Sequence, residues 1–282
     1  MDMFRKYILR NTRAKIGICI ITLFGLMAIL APYLTPHNPW SIAFMPWERP
    51  SMAHPLGVNS YGQDIFAQFV FGARPTMLVG ILAGLLTSII GMMVGLITGY
   101  KGGMVDEVLM RIVDVMLALP SLALIIVISS FLDSMSIRYT VIIIGSLNWL
   151  WMARTIRSQT LTESKRDYVD AAKALGMGDF EIMFREILPN IIPVVTANMV
   201  MVITVAMLTE ATMSFLGIGD PMTISWGRIL AIAFDTGGVF MRAWWWLLPP
   251  GLGIATLGYS FMLIGNSFLD IYASDRGGSV KL

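Results

Sequence analysis

The sequence predicts an all-α polytopic membrane protein of six transmembrane helices, with both ends in the cytoplasm. Three observations predict it. Of the 282 residues, 56% are hydrophobic and 13% charged, against about a quarter charged in soluble domains, and the mean hydropathy is +0.72. Six apolar runs approach the ~20 residues a helix needs to cross a hydrocarbon core of ~30 Å. Lysine and arginine are also divided unevenly between alternate connections, the asymmetry that orients membrane spans.

The first run is Ile16–Leu34, behind a short tail, 1–15. Basic residues precede it as in a secretory leader, but it is longer than a leader's apolar core. Ala31-Pro32-Tyr33 is also a poor cleavage site, so a retained anchor is expected. Residues 35–75 then form an external segment, long for a connector. Its apolar and aromatic residues predict a packed cap. The second run is Thr76–Tyr100, where Gly91, Gly95 and Gly99 recur every fourth residue with Gly80 and Gly84 before them. Such a face admits close helix approach, expected here within the subunit.

The third run, Val115–Leu132, extends backward through Val108, and Pro120 should kink it. Tyr139–Ala153 is shorter and spans only if Thr155 and Ile156 join it. Ile187–Thr209 and Ala243–Leu269 complete the set. Pro249-Pro250 should bend the last, and Trp244–Trp246 should anchor its outer end in the headgroup layer. The runs from 76 to 269 form one five-helix core, and 270–282 is a tail.

With the first residue inside, fifteen of the twenty Lys and Arg residues fall in the two tails and in the connections 101–114 and 154–186. Only Arg49, Arg74, Arg138, Arg228 and Arg242 fall outside. The polar stretch DYVDAAKALGMGDFEIMFREILPN, residues 167–190, therefore lies on the cytoplasmic side. It reads as a helix–turn–helix. Asp167 is a plausible N-cap with Asp170 at N3, and Ala171, Ala172, Ala174 and Leu175 give a short helix with a small-residue face. Gly176 suits a left-handed stop, Asp179 can cap a second helix, and Leu188-Pro189 leads into the fifth run. An alanine face fits a partner's socket, and an amphipathic connector lying on the membrane fits the residues equally well.

The stretch resembles the EAA loop of the membrane subunits of ATP-binding-cassette importers. Asp170-Ala171-Ala172, Gly176 and Leu188-Pro189 keep every spacing of that pattern, with Asp170 in place of the usual Glu. HPLGVNSYGQDIFAQFVFGARPTMLVG (54–80), TEATMSFLGIG (209–219) and SWGRIL (225–230) resemble the C-type permease subunit of dipeptide and oligopeptide importers, as does AKIGICIITLFGLMAILAPYLTPHNP around the first run. Gln63 stands where that family usually has Arg. The resemblance covers nearly the whole chain.

What the resemblance implies is a type I importer transmembrane fold in a prokaryotic cytoplasmic membrane. The subunit would form half of a translocation pathway for di- or oligopeptides, with nickel complexes or oligosaccharides as alternatives and a self-contained secondary transporter as a more distant one. Its implied partners are a second permease subunit, two ATPase subunits carrying ATP and Mg2+, an external substrate-binding protein and the bilayer. The loop 158–189 would hold a coupling helix, with Asp170, Ala171, Ala172, Leu175, Gly176, Leu188 and Pro189 transmitting the ATPase movement.

Other functional classes find little support. A net charge of +2 is too small for nucleic acid. No Gly-Lys pair occurs, so the chain lacks the phosphate loop of an ATPase. Cys19 is the single cysteine. His37 and His54 share one loop without an evident third ligand, and no cofactor, metal or catalytic site is expected. Ionisable and amide groups in spans are functional candidates: Glu210, Asn148 and Asn198 are possible pathway or gate residues. Glu107, Arg111 and Asp114 have helix-neighbour spacing and predict an interfacial ion-pair ladder.

Overall fold

The computed structural model describes residues 11–132 and 134–276. The expected tails thus lie partly outside the described residues, 1–10 at one end and 277–282 at the other. Among the described residues all regular structure is helical, apart from one isolated bridge between Val58 and Asp64. Helix α1 (Thr12–Ile29) is capped by Asn11, whose side chain accepts from the Arg13 amide, and a single turn, α2 (Ala31–Leu34), follows it. The irregular external segment ends at Asp64. There α3 (Ile65–Lys101) begins, because the Asp64 carboxylate accepts from the amides of Phe66 and Ala67. The second helix therefore starts well before Thr76 and carries Pro75 inside it.

Beyond Gly102 lie α4 (Gly103–Ala118) and α5 (Ser121–Ser130). The pair is bent by 86°, so Pro120 breaks the third run where a kink was expected. Pro120 lacks a backbone donor, and the residue before it, Leu119, is pushed to an extended ψ of 135°. The fourth run is also divided, into α6 (Ile137–Leu147) and α7 (Trp149–Glu163), with Asn148 at the break. α8 (Asp167–Ala174) is the short helix of the polar stretch. A helix of 37 residues, α9 (Asp179–Phe215), follows, then α10 (Trp226–Asp235) and α11 (Trp244–Arg276), which carries Pro249 and Pro250 without interruption.

Among the described residues four helices, α1, α3, α9 and α11, are long and apolar enough to cross a membrane alone. The bent pair α4–α5 makes a fifth if counted as one span, and α6 is a shorter apolar helix. Large apolar side chains such as Leu23, Leu82, Ile126, Val205 and Leu252 stay exposed, as lipid-facing surfaces do when no water must be avoided.

Glycines decide how α3 sits at the centre. A Cβ on Gly84 would stand 2.6 Å from Ile203 of α9, and Gly80 touches Met207, so α3 and α9 run antiparallel in close contact. A Cβ on Gly95 would stand 2.7 Å from both the Ala153 carbonyl oxygen and the Ile156 Cβ, and one on Gly99 2.6 Å from the Thr160 Cβ, all in α7. The small-residue face of α3 is thus consumed within the subunit. Farther along, Gly145 of α6 meets Leu86, and Thr87 Oγ1 donates to the Gly145 carbonyl at 3.3 Å. So α6 and α7 together follow α3 in the same direction, despite the break at Asn148.

α11 closes the other side. Thr204 Oγ1 donates to the Gly258 carbonyl at 3.2 Å, and Gly17 of α1 rests against the Ser260 backbone and Ile264. Arg13 pairs with Asp270 at 3.8 Å, so the start of α1 meets the far part of α11. The tryptophan triplet does not act as one belt. Trp244 is exposed, whereas Trp246 is buried with Trp47 edge-on at 5.7 Å. A helix turns its neighbours by about 100°, so three successive rings cannot share one face.

Candidate functional site

The polar stretch folds into a compact unit on the ends of three long helices. α8 opens without a side-chain cap: Arg166 is its N-cap residue, and Asp167 and Asp170 both lie in the first turn. The acidic pair therefore complements the helix dipole instead of capping, which corrects the role expected of Asp167. The other end closes as expected. Gly176 takes φ +80°, its amide donates to the Lys173 carbonyl at 2.9 Å, and the Met177 amide reaches back to Ala172 at 3.1 Å. These are the paired bonds of a Schellman stop, which only a left-handed residue completes without strain.

Burial splits α8 into two faces. Val169 and Ala172 are buried against Leu96 of α3, Met152 and Ile156 of α7, and Ile187 and Ile191 of α9. Asp170, Ala171, Ala174, Leu175 and Gly176 face outward, and Leu175 is 84% exposed. Two side-chain ties hold the inward face. Tyr168 Oη donates to Glu163 Oε2 at 3.0 Å, and Arg166 Nε stands 3.1 Å from the same oxygen. Burial, with the Glu163 carboxylate second, pushes the Tyr168 phenol up to about 12, so it remains a donor at physiological pH. Tyr100, at the end of α3, donates to Asp179 Oδ1 at 3.1 Å.

Asp179 is thus not the expected cap of the second helix. Gly178 holds that position, while Asp179 receives Tyr100. The second helix and the fifth run are one continuous helix through Leu188-Pro189. It widens into a π-turn over Ile182–Ile187, in which the Leu188 amide donates to the Met183 carbonyl, and then continues as the long apolar helix. Pro189 has no amide to offer the preceding turn, and the wider turn lets the backbone pass without a break. α9 is therefore one rod from Asp179, beside α8, to Phe215 at its far end. Leu188 is half-buried and Pro189 exposed.

Ion pairs join α4 to α7 nearby. Arg157 grips Asp106 with two bonds, Nε to Oδ1 and Nη2 to Oδ2, each 2.5 Å, and Arg154 pairs with Asp114. The expected ladder along one helix is replaced by pairs between helices, a partnership that spacing within α4 could not reveal.

The intramembrane candidates are not brought together. Glu210 is 3% exposed, and Ser214, one turn on, donates to its Oε1 at 2.7 Å. Asn198 donates to the Val194 carbonyl of its own helix at 2.8 Å. Asn148 sits at the α6–α7 break, in a recess with Leu119, Ser121 and Trp151. Asp64, not among the expected site residues, contacts both histidines of the external segment. His37 Nδ1 lies 2.5 Å and His54 Nδ1 3.2 Å from Asp64 Oδ2. Its place beside HPLG was visible, but not the fold of the intervening loop.

Comparison with known proteins matches residues 91–274 to a family described as the binding-protein-dependent transport system inner membrane component. Residues 1–49 match the N-terminal TM domain of oligopeptide transport permease C. The dipeptide transport system permease protein DppC of Haemophilus influenzae is 35% identical over 278 residues, covering 96% of this chain and 93% of that protein. The Bacillus subtilis oligopeptide transport system permease protein OppC is 32% identical, over 92% of this chain and 85% of its own length. The B. subtilis DppC is 30% identical, over 93% and 81%.

Proposed function

Since the chain belongs to the family of binding-protein-dependent transport system inner membrane components, we propose that it is the permease subunit of a peptide importer, forming half of a pathway for di- or oligopeptides. Its fold is the type I importer transmembrane fold, and the chain is a transport subunit, not itself an enzyme. The peptide cargo rests on the relatives named for dipeptide and oligopeptide transport. The multi-pass chain sits in the cytoplasmic membrane of a prokaryote as six spans, the fourth assembled from α6 and α7, with both ends cytoplasmic. The division of Lys and Arg supports that orientation.

ATP and Mg2+ belong to two separate ATPase subunits, a second permease subunit completes the pathway, and an external binding protein delivers the peptide. One observation carries the coupling role: α8 turns Ala171, Ala174 and Leu175 outward while its other face is locked onto α3, α7 and α9. A groove on an ATPase that receives the outward face would move α8 as a rigid body, and α9 continues from beside it through the membrane. Such switching exchanges two packings of rigid elements, biased by whichever partner state binds one of them better.

The test is reconstitution of the chain with its partner permease, ATPases and binding protein in proteoliposomes loaded with ATP. Labelled di- and oligopeptides should accumulate only when the ATPases and ATP are both present. Uptake by the permease subunits alone would overturn the importer reading. ATP-dependent uptake of a nickel complex or an oligosaccharide in place of peptides would overturn only the cargo.

A further inference from the structure

Both histidines of the chain, which the coupling reading does not use, converge on one carboxylate oxygen. His37, His54 and Asp64 bring one ligand atom each to within 4.8 Å of one another. We propose that these three residues form a zinc site that staples the external segment to the start of α3.

Each ligand is positioned by something other than the cluster. The Asp64 side chain is 2% exposed, and its Oδ1 is occupied by the amides of Phe66 and Ala67 at 2.8 and 3.1 Å. Those bonds leave Oδ2 turned toward the imidazoles. The His54 side chain is 7% exposed. Its amide donates to Ser51 Oγ at 3.1 Å, and its carbonyl accepts from Ser51 and Gly57. Its second ring nitrogen, Nε2, lies 3.9 Å from Glu48 Oε2, longer than a hydrogen bond but on the side from which a carboxylate orients a metal-bound imidazole. Phe44 walls the cluster, with ring centroids 4.8 Å from His37 and 4.3 Å from His54.

The distances suit a small tetrahedral ion. Ligand bonds of about 2.0–2.2 Å place neighbouring donor atoms about 3.3–3.5 Å apart. His54 Nδ1 and Asp64 Oδ2 already stand 3.2 Å apart. His37, the one partly open ligand at 26% exposure, must withdraw by about 1 Å from its 2.5 Å contact to admit the ion at those bond lengths. Two imidazoles and one carboxylate with the fourth position open are an established zinc ligand set, whereas calcium and magnesium want oxygen throughout. The open side at His37 leaves the fourth position to water. The ion would bind the segment after α2, the loop at His54 and the N-cap of α3 to one point.

The experiment uses the full-length chain in detergent, without a polyhistidine tag, stripped by chelator and titrated with Co2+ as a spectroscopic substitute for zinc. One equivalent should bind with the intense visible absorption of tetrahedral cobalt, and Zn2+ should displace it. His37→Ala should abolish those bands and weaken binding at least about tenfold, by analogy with lost metal partners. Metal should raise the thermal midpoint of the wild type and not that of His37→Ala. Asp64→Asn, which keeps an oxygen for the helix cap, should lose the bands as well. Should it misfold, the His37→Ala comparison decides alone. Failure to retain cobalt, an octahedral spectrum, or equal binding by wild type and His37→Ala would each reduce the cluster to a hydrogen-bonded triad and overturn the proposal.

Discussion

Tyr168 Oη donates to Glu163 Oε2 at 3.0 Å, tying the first turn of α8 to the last residue of α7 across the bend Ser164–Arg166. Glu163 is 1% exposed, and its Oε2 also stands 3.1 Å from Arg166 Nε. Tyr168→Phe should destabilise the solubilised protein by about 1.5–3 kcal/mol, the range for a hydrogen bond to a charged group. Thermal unfolding in detergent reads the loss. An unchanged midpoint would mean that the bond contributes nothing to holding α8.

Gly176 tests backbone geometry apart from packing. No heavy atom lies within 4 Å of where its Cβ would be, yet its φ is +80°. Gly176→Ala should therefore cost about 1–2 kcal/mol through left-handed strain alone, and Gly176→Asn less, since Asn tolerates that region. Peptide-stimulated ATP hydrolysis by the assembled complex should fall in the order Gly, Asn, Ala, Val. Four equal rates would show that the Schellman stop has no part in coupling.

Burial dictates which alanine to change. Ala171 is exposed, while Ala172 is 6% exposed inside the cluster shared with α3, α7 and α9. Ala171→Arg should leave insertion and the melting profile intact but prevent co-purification with the ATPase. Ala172→Arg should instead lower the amount of folded protein recovered, because a buried charge is left without a partner. If the ATPase still co-purified with Ala171→Arg at the wild-type level, the outward face would not be its docking surface.

The α3–α7 seam gives a sharper steric test. A Cβ at Gly95 would stand 2.7 Å from the Ala153 carbonyl oxygen, whereas one at Gly25 of α1 meets nothing within 4 Å. Gly95→Leu should destabilise by about 1–3 kcal/mol or more, as overpacking does. It should appear as a lower melting midpoint and a broadened size-exclusion peak. Gly25→Leu should be nearly silent in both. Equal behaviour of the two variants would mean that α3 and α7 do not meet through these glycines.

Much of the candidate site was legible because its signals are local. Gly176 ends α8 by its own backbone freedom, and the polar residues of 167–174 marked a short helix between the apolar runs. The expectations that changed depended on who stands beside whom. Asp167 and Asp179 have the right chemistry for caps, but Arg166 and Gly178 start those helices, and Asp179 meets Tyr100, which is distant in sequence. Pro120 announced a distortion, yet whether a proline kinks a helix or ends it depends on whether neighbours can satisfy the freed carbonyls.

By itself the sequence determined that this chain is a multi-pass membrane protein, that Gly176 stops a short helix within the polar stretch, and which family spacing that stretch keeps. Those properties are written in hydropathy, glycine and proline, which act over a few residues. Only the tertiary structure decided that α6 and α7 share one path beside α3. It alone showed that Ala172 faces inward while Ala171 faces out, that Asp106 and Asp114 pair with α7, and that Asp64 gathers His37 and His54. Each of these is a distance between segments far apart in the chain, and such distances are set by how glycine faces and rigid helices pack, not by any local pattern.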